Sequence, residues 1–190
     1  MEMVSAYGAF ANGGKSVTPN YLLKIKDKAG KTIYKSNPPY FRQTVSAPTA
    51  EMITYMLRKV VQEGTAAGMA NYVGPDAQIA GKTGTTQSHA DGWFIGYTPS
   101  LVAGCWVGAE DRRVHFRSID LGQGAHMAMP IFGKFMGKLG KDKKLKKYVY
   151  QQWPDLSEEM YENMDCVPFS ENAPDGYPVD NSNTCLLYTS

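Results

Sequence analysis

The sequence predicts a mixed α/β fold of the α+β type, in which an antiparallel sheet is flanked by helices. Three apolar segments that suit strands follow one another at about 78–86, 92–98 and 101–108, and the short turns between them favour antiparallel neighbours. Helical spacing of apolar residues occurs before and after this group. With 190 residues and 43% hydrophobic side chains, the chain has the size and composition of one folded domain.

The elements ahead of the sheet are marked by turn residues. A first helix starts with the first residues and ends at Asn12-Gly13-Gly14, because glycine readily adopts the left-handed conformation that stops a helix. Thr18-Pro19 opens an extended segment. Two short strands, 21–26 and 31–34, flank a turn and predict a small surface hairpin. Pro38-Pro39 then breaks the chain before a second helix.

Two longer helices are predicted from apolar periodicity. The second helix begins at 48–49 and ends at 63–65, and its apolar face consists of Met52, Ile53, Met56, Leu57, Val60 and Val61. The Gly- and Ala-rich stretch 65–76 predicts a loop that leads into the sheet. A last helix can cover one face of the sheet with Met129, Ile131, Phe132, Phe135, Met136 and Leu139.

Charge divides the chain between residues 147 and 148. Residues 1–147 carry 20 basic and 10 acidic side chains, whereas 148–190 carry 8 acidic ones and no Lys or Arg. We expect a folded domain over 1–147 and an acidic, disordered tail over 148–190. Residues 185–190 resemble read-through of a cloning or sequencing adaptor, and we leave them out of the fold prediction. The lysines of 134–147 are interpreted as a solvated helix face, because no aromatic residues are interleaved for base stacking, so no nucleic-acid partner is predicted.

No metal, cofactor or membrane-spanning segment is predicted. The cysteines and histidines are widely spaced and match no disulfide framework or compact ligand motif: Cys105, Cys166, Cys185, His89, His115 and His126. The chain has no apolar run of about 18 or more residues. Any attachment to a membrane therefore depends on an anchor outside this sequence.

The most informative motif is Gly81-Lys82-Thr83-Gly84-Thr85-Thr86, on the first strand of the sheet. Lys82 supplies a compact positive charge, and Thr83 and Thr85 stand two apart, so that their hydroxyls share one face. Gly84 leaves room for another backbone alongside. Such a strand suits an extended peptide that ends in a carboxylate and adds itself to the strand edge, while the Thr85 N–H can donate to an oxyanion. The alternative is an ordinary strand with one exposed lysine, since Lys-Thr-Gly recurs by chance.

A phosphate-binding loop is excluded by the residues around the motif. Gly81-Lys82-Thr83 matches the end of that loop, but the earlier glycine would have to stand at position 76, which is Asp76. A strand also follows where the loop needs a helix N-terminus to aim its amides at phosphate.

Four separate segments raise the specificity of the motif. They are Ala80–Thr86, Asp91–Pro99 with its Asp-Gly-Trp-Phe-Ile-Gly-Tyr-Thr-Pro run, Ala103–Gly108, and Glu2–Gly14. In order, spacing and residue type they resemble the C-terminal part of the transpeptidase domain of class A high-molecular-weight penicillin-binding proteins of the 1A type. The resemblance runs from residue 1 to about 140 and implies part of the penicillin-binding, β-lactamase-like transpeptidase fold.

The resemblance also implies a reaction and roles for the motif. In peptidoglycan D,D-transpeptidases a serine attacks the carbonyl of a D-alanyl-D-alanine stem peptide, D-alanine leaves, and an amine of a neighbouring strand resolves the acyl-enzyme. By resemblance, Lys82 maintains the charge of the pocket, and Thr83 and Thr85 hold the carboxylate of the substrate or of an inhibiting β-lactam. Gly84 belongs to the same substrate-binding strand, and the Thr85 N–H forms half of the oxyanion hole. Placement on the periplasmic face of a bacterial inner membrane, and a glycosyltransferase domain in the parent protein, are implied likewise.

The sequence departs from the family pattern at the nucleophile. It contains no Ser-x-x-Lys, and Ser170-Glu171-Asn172 matches the family's Ser-x-Asn by chance, since it lies downstream of the motif instead of upstream. We therefore expect a C-terminal fragment with no acylating activity of its own. A non-catalytic module that senses β-lactams or stem peptides is the alternative. A β-lactamase or carboxypeptidase would share Lys-Thr-Gly without the continuation at 93–99.

Overall fold

A computed structural model describes residues 1–156 and residue 160. By internal contacts the chain divides into two units, Met1–Trp153 and Pro154–Ser190. The first unit contains, in chain order, α1 (Glu2–Ala11), β1 (Lys15–Val17), β2 (Lys24–Lys26), β3 (Thr32–Lys35), β4 (Phe41–Gln43), α2 (Ala47–Gln62), α3 (Ala70–Val73), β5 (Ala80–Thr85), β6 (Asp91–Thr98), β7 (Leu101–Gly108), α4 (Ile119–Gly122), α5 (Gly124–Met127) and α6 (Met129–Lys141). Within the described part of the chain, no helix combines the length and the apolar character needed to traverse a bilayer.

The predicted antiparallel sheet is present, with strand order β5-β6-β7. Because side chains alternate along a strand, Phe94 and Tyr97 of β6 project from opposite faces. The Phe94 ring packs against Phe132 of α6 with ring centroids 4.8 Å apart. On the other face, the Tyr97 hydroxyl lies 3.0 Å from Oγ1 of Thr54 in α2. Helices thus cover both faces of the sheet, which confirms the predicted fold class.

The main core lies between the Phe94 face of the sheet and α6. Its buried members are Val61, Ala66, Met69, Val73, Ile79, Phe94, Ala128, Met129, Phe132, Met136 and Val149. The predicted last helix is confirmed, but Ile131 and Phe135 are 52% and 47% exposed, so their expected place in the core is wrong. Residues three and four apart share a helix face, which turns 129, 132 and 136 inward and leaves 131 and 135 outside. The short helices α4 and α5 were not predicted.

The first helix ends where the glycines stand. The Gly14 N–H donates to Ala9 O at 2.8 Å, and Gly13 and Gly14 have φ of 60° and 84°. A side chain at Gly14 would place its Cβ 2.1 Å from Val45 O, so this position requires glycine. The predicted helix stop is confirmed.

Two small antiparallel ribbons follow α1. β2 and β3 form the predicted surface hairpin, and every residue of both strands is exposed. β1 pairs with β4, placing Lys15 opposite Gln43. This second ribbon was not predicted, because its strands are three residues each and lie far apart in sequence. Its β4 also falls between Pro39 and the second helix, where the sequence indicated only a break.

The second helix is confirmed, but its predicted apolar face is only partly right. α2 begins at the N-cap Ser46, whose hydroxyl accepts the Thr49 N–H at 3.2 Å. Its buried residues are Ala50, Thr54 and Val61, whereas Met56 is 39% exposed. Small side chains rather than methionines therefore face the sheet, since they let the helix approach it closely.

The stretch predicted as a loop, 65–76, contains structure that belongs to the core. A short 3-10 helix over Ala67–Met69 runs into α3. Met69 and Val73 are only 1% and 5% exposed. The loop prediction was wrong because one-turn helices rich in Ala and Gly carry no readable periodicity, and burial of these two side chains fixes them.

Residues 148–153 form a strap along the end of the sheet. Thr98 Oγ1 donates to Tyr148 O at 2.6 Å, and Val149 is fully buried. The Trp153 indole N–H donates to Gln78 O at 2.9 Å. This strap belongs to the unit that ends at Trp153. The boundary that charge predicts at 147/148 stays a prediction, and the predicted disordered tail, including Ser170-Glu171-Asn172, lies mostly outside the described residues.

Candidate functional site

The predicted motif occupies β5, an outer strand of the sheet. β5 pairs with β6 along one side, with Lys82 opposite Ile95 and Thr85 opposite Gly92. Within the described residues its other side pairs with no strand. An outer strand presents unpaired N–H and C=O groups to which an extended peptide can add.

Lys82 is partly buried and carries an uncompensated charge. Its ammonium lies 3.4 Å from Thr83 O, at the long limit for a hydrogen bond. Among the described residues, no carboxylate comes within 4.0 Å of this ammonium. A partly buried cation without a counter-ion attracts an anion strongly, because solvent screens it less than it screens a fully exposed charge.

Thr83 is joined to a residue that the sequence did not single out. Its Oγ1 lies 3.0 Å from Oγ1 of Thr65, which is exposed just beyond the end of α2. One of the two hydroxyls donates to the other, so the remaining O–H is free to donate to an anion. Thr65 stands 18 residues before Thr83, within the segment predicted as a featureless loop, and no local signal marks it.

Thr85 is held from the other side by α5. The Gly124 N–H donates to Thr85 Oγ1 at 3.0 Å. Because the oxygen accepts this bond, the hydroxyl proton of Thr85 can point outward and donate. The approach depends on glycine, since a Cβ at Gly124 would lie 2.4 Å from Gly84 O and 2.5 Å from Trp93 O. Gly124 is the second residue of the site that sequence reasoning missed.

The turn between β5 and β6 is fixed by a polar pair and by unusual backbone angles. Thr86 Oγ1 accepts the Asp91 N–H at 3.1 Å and donates to Asp91 O at 3.2 Å. Ser88 and His89 both have positive φ, 59° and 55°, which is uncommon for residues other than glycine. This closure holds the end of β5 against β6 next to Thr85. In the described residues, no group of three or more His, Cys, Asp or Glu side chains is placed to hold a metal ion.

Taken together, the geometry suits an extended, anionic ligand. The alternation of β5 puts Thr83 and Thr85 on the face that carries α5 and α6, and Lys82 and Gly84 on the opposite face. Both hydroxyls are already oriented by neighbours, which leaves O–H groups available to an acceptor. The roles of Lys82, Thr83, Gly84 and Thr85 in binding and catalysis stay predictions.

The class of this domain follows from a family comparison. The family model described as "Penicillin binding protein transpeptidase domain" matches residues 1–136. The chain therefore belongs to this family of transpeptidase domains, which confirms the resemblance found in the sequence. Among curated relatives, "Penicillin-binding protein 1A" of Aquifex aeolicus strain VF5 is 34% identical over 136 residues, covering 72% of this chain and 18% of the relative. The protein of the same name from Neisseria gonorrhoeae is 32% identical over 154 residues, covering 76% of this chain and 19% of the relative.

Solved structures agree with this membership. Penicillin-Binding Protein 1A from Haemophilus influenzae matches with a TM-score of 0.66 and 26% identity, over 82% of this chain and 27% of that chain. The D,D-Transpeptidase Domain of Peptidoglycan Glycosyltransferase from Eggerthella lenta matches with a TM-score of 0.55 and 25% identity, over 76% of this chain and 32% of that chain. The chain spans about a fifth of the length of the curated relatives it matches, between 17% and 20% for those of Neisseria flavescens and Rickettsia bellii.

Proposed function

We propose that this chain supplies the carboxylate-binding strand of a peptidoglycan D,D-transpeptidase. One observation carries the proposal: a single outer strand of the sheet carries the ammonium of Lys82, which has no carboxylate partner among the described residues, and the oriented hydroxyls of Thr83 and Thr85. Family membership supports the reaction class. The ligand expected from that class, a stem peptide ending in D-alanyl-D-alanine, is extended and ends in a carboxylate.

Each residue then has a defined task. The stem peptide adds to the free side of β5 by main-chain hydrogen bonds. Its carboxylate accepts hydrogen bonds from the free O–H groups of Thr85 and of the Thr65–Thr83 pair, and the Lys82 charge offsets the cost of desolvating that carboxylate. The Thr85 N–H donates to the oxyanion that forms when a serine attacks the peptide carbonyl. That serine is supplied by polypeptide outside this sequence, since no Ser-x-x-Lys is present.

The setting of the whole protein is part of the proposal. A parent of the penicillin-binding protein 1A type would act on the periplasmic face of a bacterial inner membrane, with a glycosyltransferase domain and a membrane anchor upstream. β-Lactams would then inhibit it by offering a carboxylate to the same strand.

Binding of the carboxylate can be tested on the 190-residue chain. A stem pentapeptide ending in D-alanyl-D-alanine is titrated while backbone amide signals are followed by NMR, and we expect shifts at residues of β5. The same peptide with a C-terminal amide should bind roughly 10- to 100-fold more weakly, since hydrogen bonds to charged groups are worth about 1.5–3 kcal/mol. Lys82→Gln should remove most of this preference, whereas Lys134→Gln on the exposed face of α6 should preserve it. Equal binding of the acid and the amide would refute the role given to the strand.

The missing nucleophile needs a separate experiment. Fluorescent penicillin should leave no covalently labelled band on the 190-residue chain, and a labelled band would overturn the prediction that the serine lies elsewhere. In a longer protein recovered from the surrounding genomic DNA, labelling should occur and should slow in Lys82→Gln. A glycosyltransferase domain in that DNA supports synthesis, and a sensor transmembrane helix supports the alternative sensing module.

A further inference from the structure

Residues 15–43 form a basic arm that the transpeptidase site does not use. The arm consists of the β1–β4 and β2–β3 ribbons and carries seven basic residues against one acidic residue, Asp27. Asp27 is engaged in its own turn, where its Oδ1 accepts the N–H groups of Ala29 and Lys31, each at 2.9 Å. No ion pair among the described residues neutralises the lysines of the arm.

The β2–β3 ribbon places like charges face to face. Lys24 lies directly opposite Lys35, and the neighbouring Ser36 N–H donates to Leu23 O at 3.0 Å. Since hydrogen-bonded and non-hydrogen-bonded pairs alternate along an antiparallel ribbon, Lys24 and Lys35 form a pair of the second kind. Their side chains then stand at the closer cross-strand spacing, and their backbone N–H and C=O groups point away from the ribbon. Like charges directly opposite destabilise a ribbon, so this arrangement favours an anionic partner.

The ribbon has two outer edges, and the edge formed by β2 is uninterrupted, whereas the edge formed by β3 contains an extra residue. Ile25 pairs with Tyr34 and Lys26 pairs with Thr32, which leaves Ile33 of β3 without a partner and interrupts that strand. Along β2, Lys24 and Lys26 share one face with Lys35, and Ile25 shares the opposite face with Tyr34. A strand added to this edge would therefore meet cations on one face and apolar side chains on the other.

An open cleft lies at the base of the β2–β3 ribbon, where Leu23 precedes β2 and Lys35 ends β3. Its volume is about 690 Å³, and its lining includes Val17, Pro19, Leu23, Pro38 and Pro39. Lys35 is the one charged residue in that lining. This volume lies within the range of about 300–1,000 Å³ that is usual for ligand pockets, and the lining suits apolar side chains next to a carboxylate.

We propose that the basic arm binds an extended segment of a partner protein in which acidic and apolar residues alternate. The segment adds to the outer edge of β2, its carboxylates face Lys24, Lys26 and Lys35, and an apolar side chain enters the cleft beside Leu23. Strand addition supplies affinity through main-chain hydrogen bonds, and the alternating side chains supply specificity.

An anionic membrane fits the arm less well. A protein surface that binds a membrane needs its apolar side chains and its cations on the same side, so that the apolar side chains insert into the lipid while the cations contact the head groups. On the ribbon, Ile25 and Tyr34 point away from Lys24 and Lys35. A lipid surface also cannot use the free backbone groups of β2.

The test uses the 190-residue chain and a fluorescein-labelled peptide of alternating glutamate and valine, with binding followed by fluorescence anisotropy. We expect saturable binding that weakens roughly 5- to 30-fold in the double variant Lys24→Gln, Lys35→Gln. The matched control, Lys143→Gln with Lys144→Gln, makes the same change of charge at exposed positions outside the arm and should bind normally. Methylating alternate backbone nitrogens of the peptide should abolish binding, because the peptide then cannot pair with β2.

Several outcomes would overturn the proposal. One is equal binding of a peptide with the same composition in which the glutamates and valines are segregated. Another is an absence of peptide binding, which would leave the lysines only the role of keeping the edge unpaired. Vesicles of phosphatidylglycerol that bind the chain but not the double variant would assign the arm to membranes. Misfolding does not confuse the result, because relief of the Lys24–Lys35 repulsion should keep the thermal midpoint of the double variant at or above that of the parent chain.

Discussion

Replacement of Gly124 by alanine tests how closely α5 must approach the candidate site. The new Cβ would lie 2.4 Å from Gly84 O and 2.5 Å from Trp93 O, about 1 Å short of the ordinary contact distance of 3.4 Å. Both oxygens belong to the backbone of paired strands, so neither can rotate away. The helix must retreat, and the bond from the Gly124 N–H to Thr85 Oγ1 is lost.

The expected cost follows from these contacts. Overpacking costs about 1–3 kcal/mol, and the lost hydrogen bond costs about 0.5–1.5 kcal/mol. The better helix propensity of alanine offsets up to about 1 kcal/mol. The free energy of unfolding of Gly124→Ala should therefore fall by about 0.5–4.5 kcal/mol.

The assay is urea unfolding followed by tryptophan fluorescence, since Trp93 and Trp106 lie in the sheet. Gly8→Ala is the matched control, because its Cβ would meet Val102 Cγ1 at an ordinary 3.7 Å inside helix α1. The control should be unchanged or stabilised by up to about 1 kcal/mol. Equal urea midpoints for Gly124→Ala and Gly8→Ala would refute the close-approach argument.

Three further predictions concern the sheet and its neighbours. Burial raises the pKa of Tyr97 to about 12. An unfolded tyrosine ionises near pH 10, so the free energy of unfolding should fall by about 2–3 kcal/mol as pH rises from about 10 to about 12. Tyr97→Phe should flatten this dependence in urea titrations, and an unchanged slope would contradict it. Thr98→Val leaves the partly buried Tyr148 carbonyl without its donor and should lower the free energy of unfolding by about 1–3 kcal/mol. A loss below about 0.5 kcal/mol would mean that water replaces the hydroxyl. Phe132→Ala should lower the free energy of unfolding by about 3–5 kcal/mol in thermal or urea unfolding, because Phe132 is buried. Phe135→Ala should lower it much less, because Phe135 is half exposed. Similar losses for the two variants would show that the two faces of α6 are packed alike.

The sheet could be predicted from the sequence because its signals are local. The motif strand and the two strands that follow are each marked by apolar runs bounded by turn residues, and consecutive strands joined by short turns have few arrangements open to them. The stop of α1 at Gly13 and Gly14 is equally local, since a positive φ is required there.

The wrong predictions concern contacts between distant segments. In α2 the hydrophobic ranking favoured Met56 over Ala50 and Thr54, but close approach of a helix to a sheet selects small side chains. The helix turns at 67–73 are too short to show a period, and burial of Met69 and Val73 decides them.

The candidate site was only half visible for the same reason. Lys82, Thr83 and Thr85 share one strand, so their spacing alone shows which side chains point together. Thr65 reaches Thr83 across 18 residues, and Gly124 reaches Thr85 across 39. Neither stands next to its partner in the sequence, so only the folded chain reveals them.

The strap at 148–153 has a practical consequence for anyone who produces this domain. Its bonds to Thr98 and Gln78, and the packing of the Trp153 ring against Tyr97 with centroids 5.8 Å apart, link it to both β6 and the entry to β5. A recombinant version that ends after α6 would lack Trp153, which covers the Tyr97 ring, and the buried Val149, so it would leave a gap in the core. Affinity tags and fusion partners therefore belong downstream of Trp153, where they leave the support of the motif strand intact.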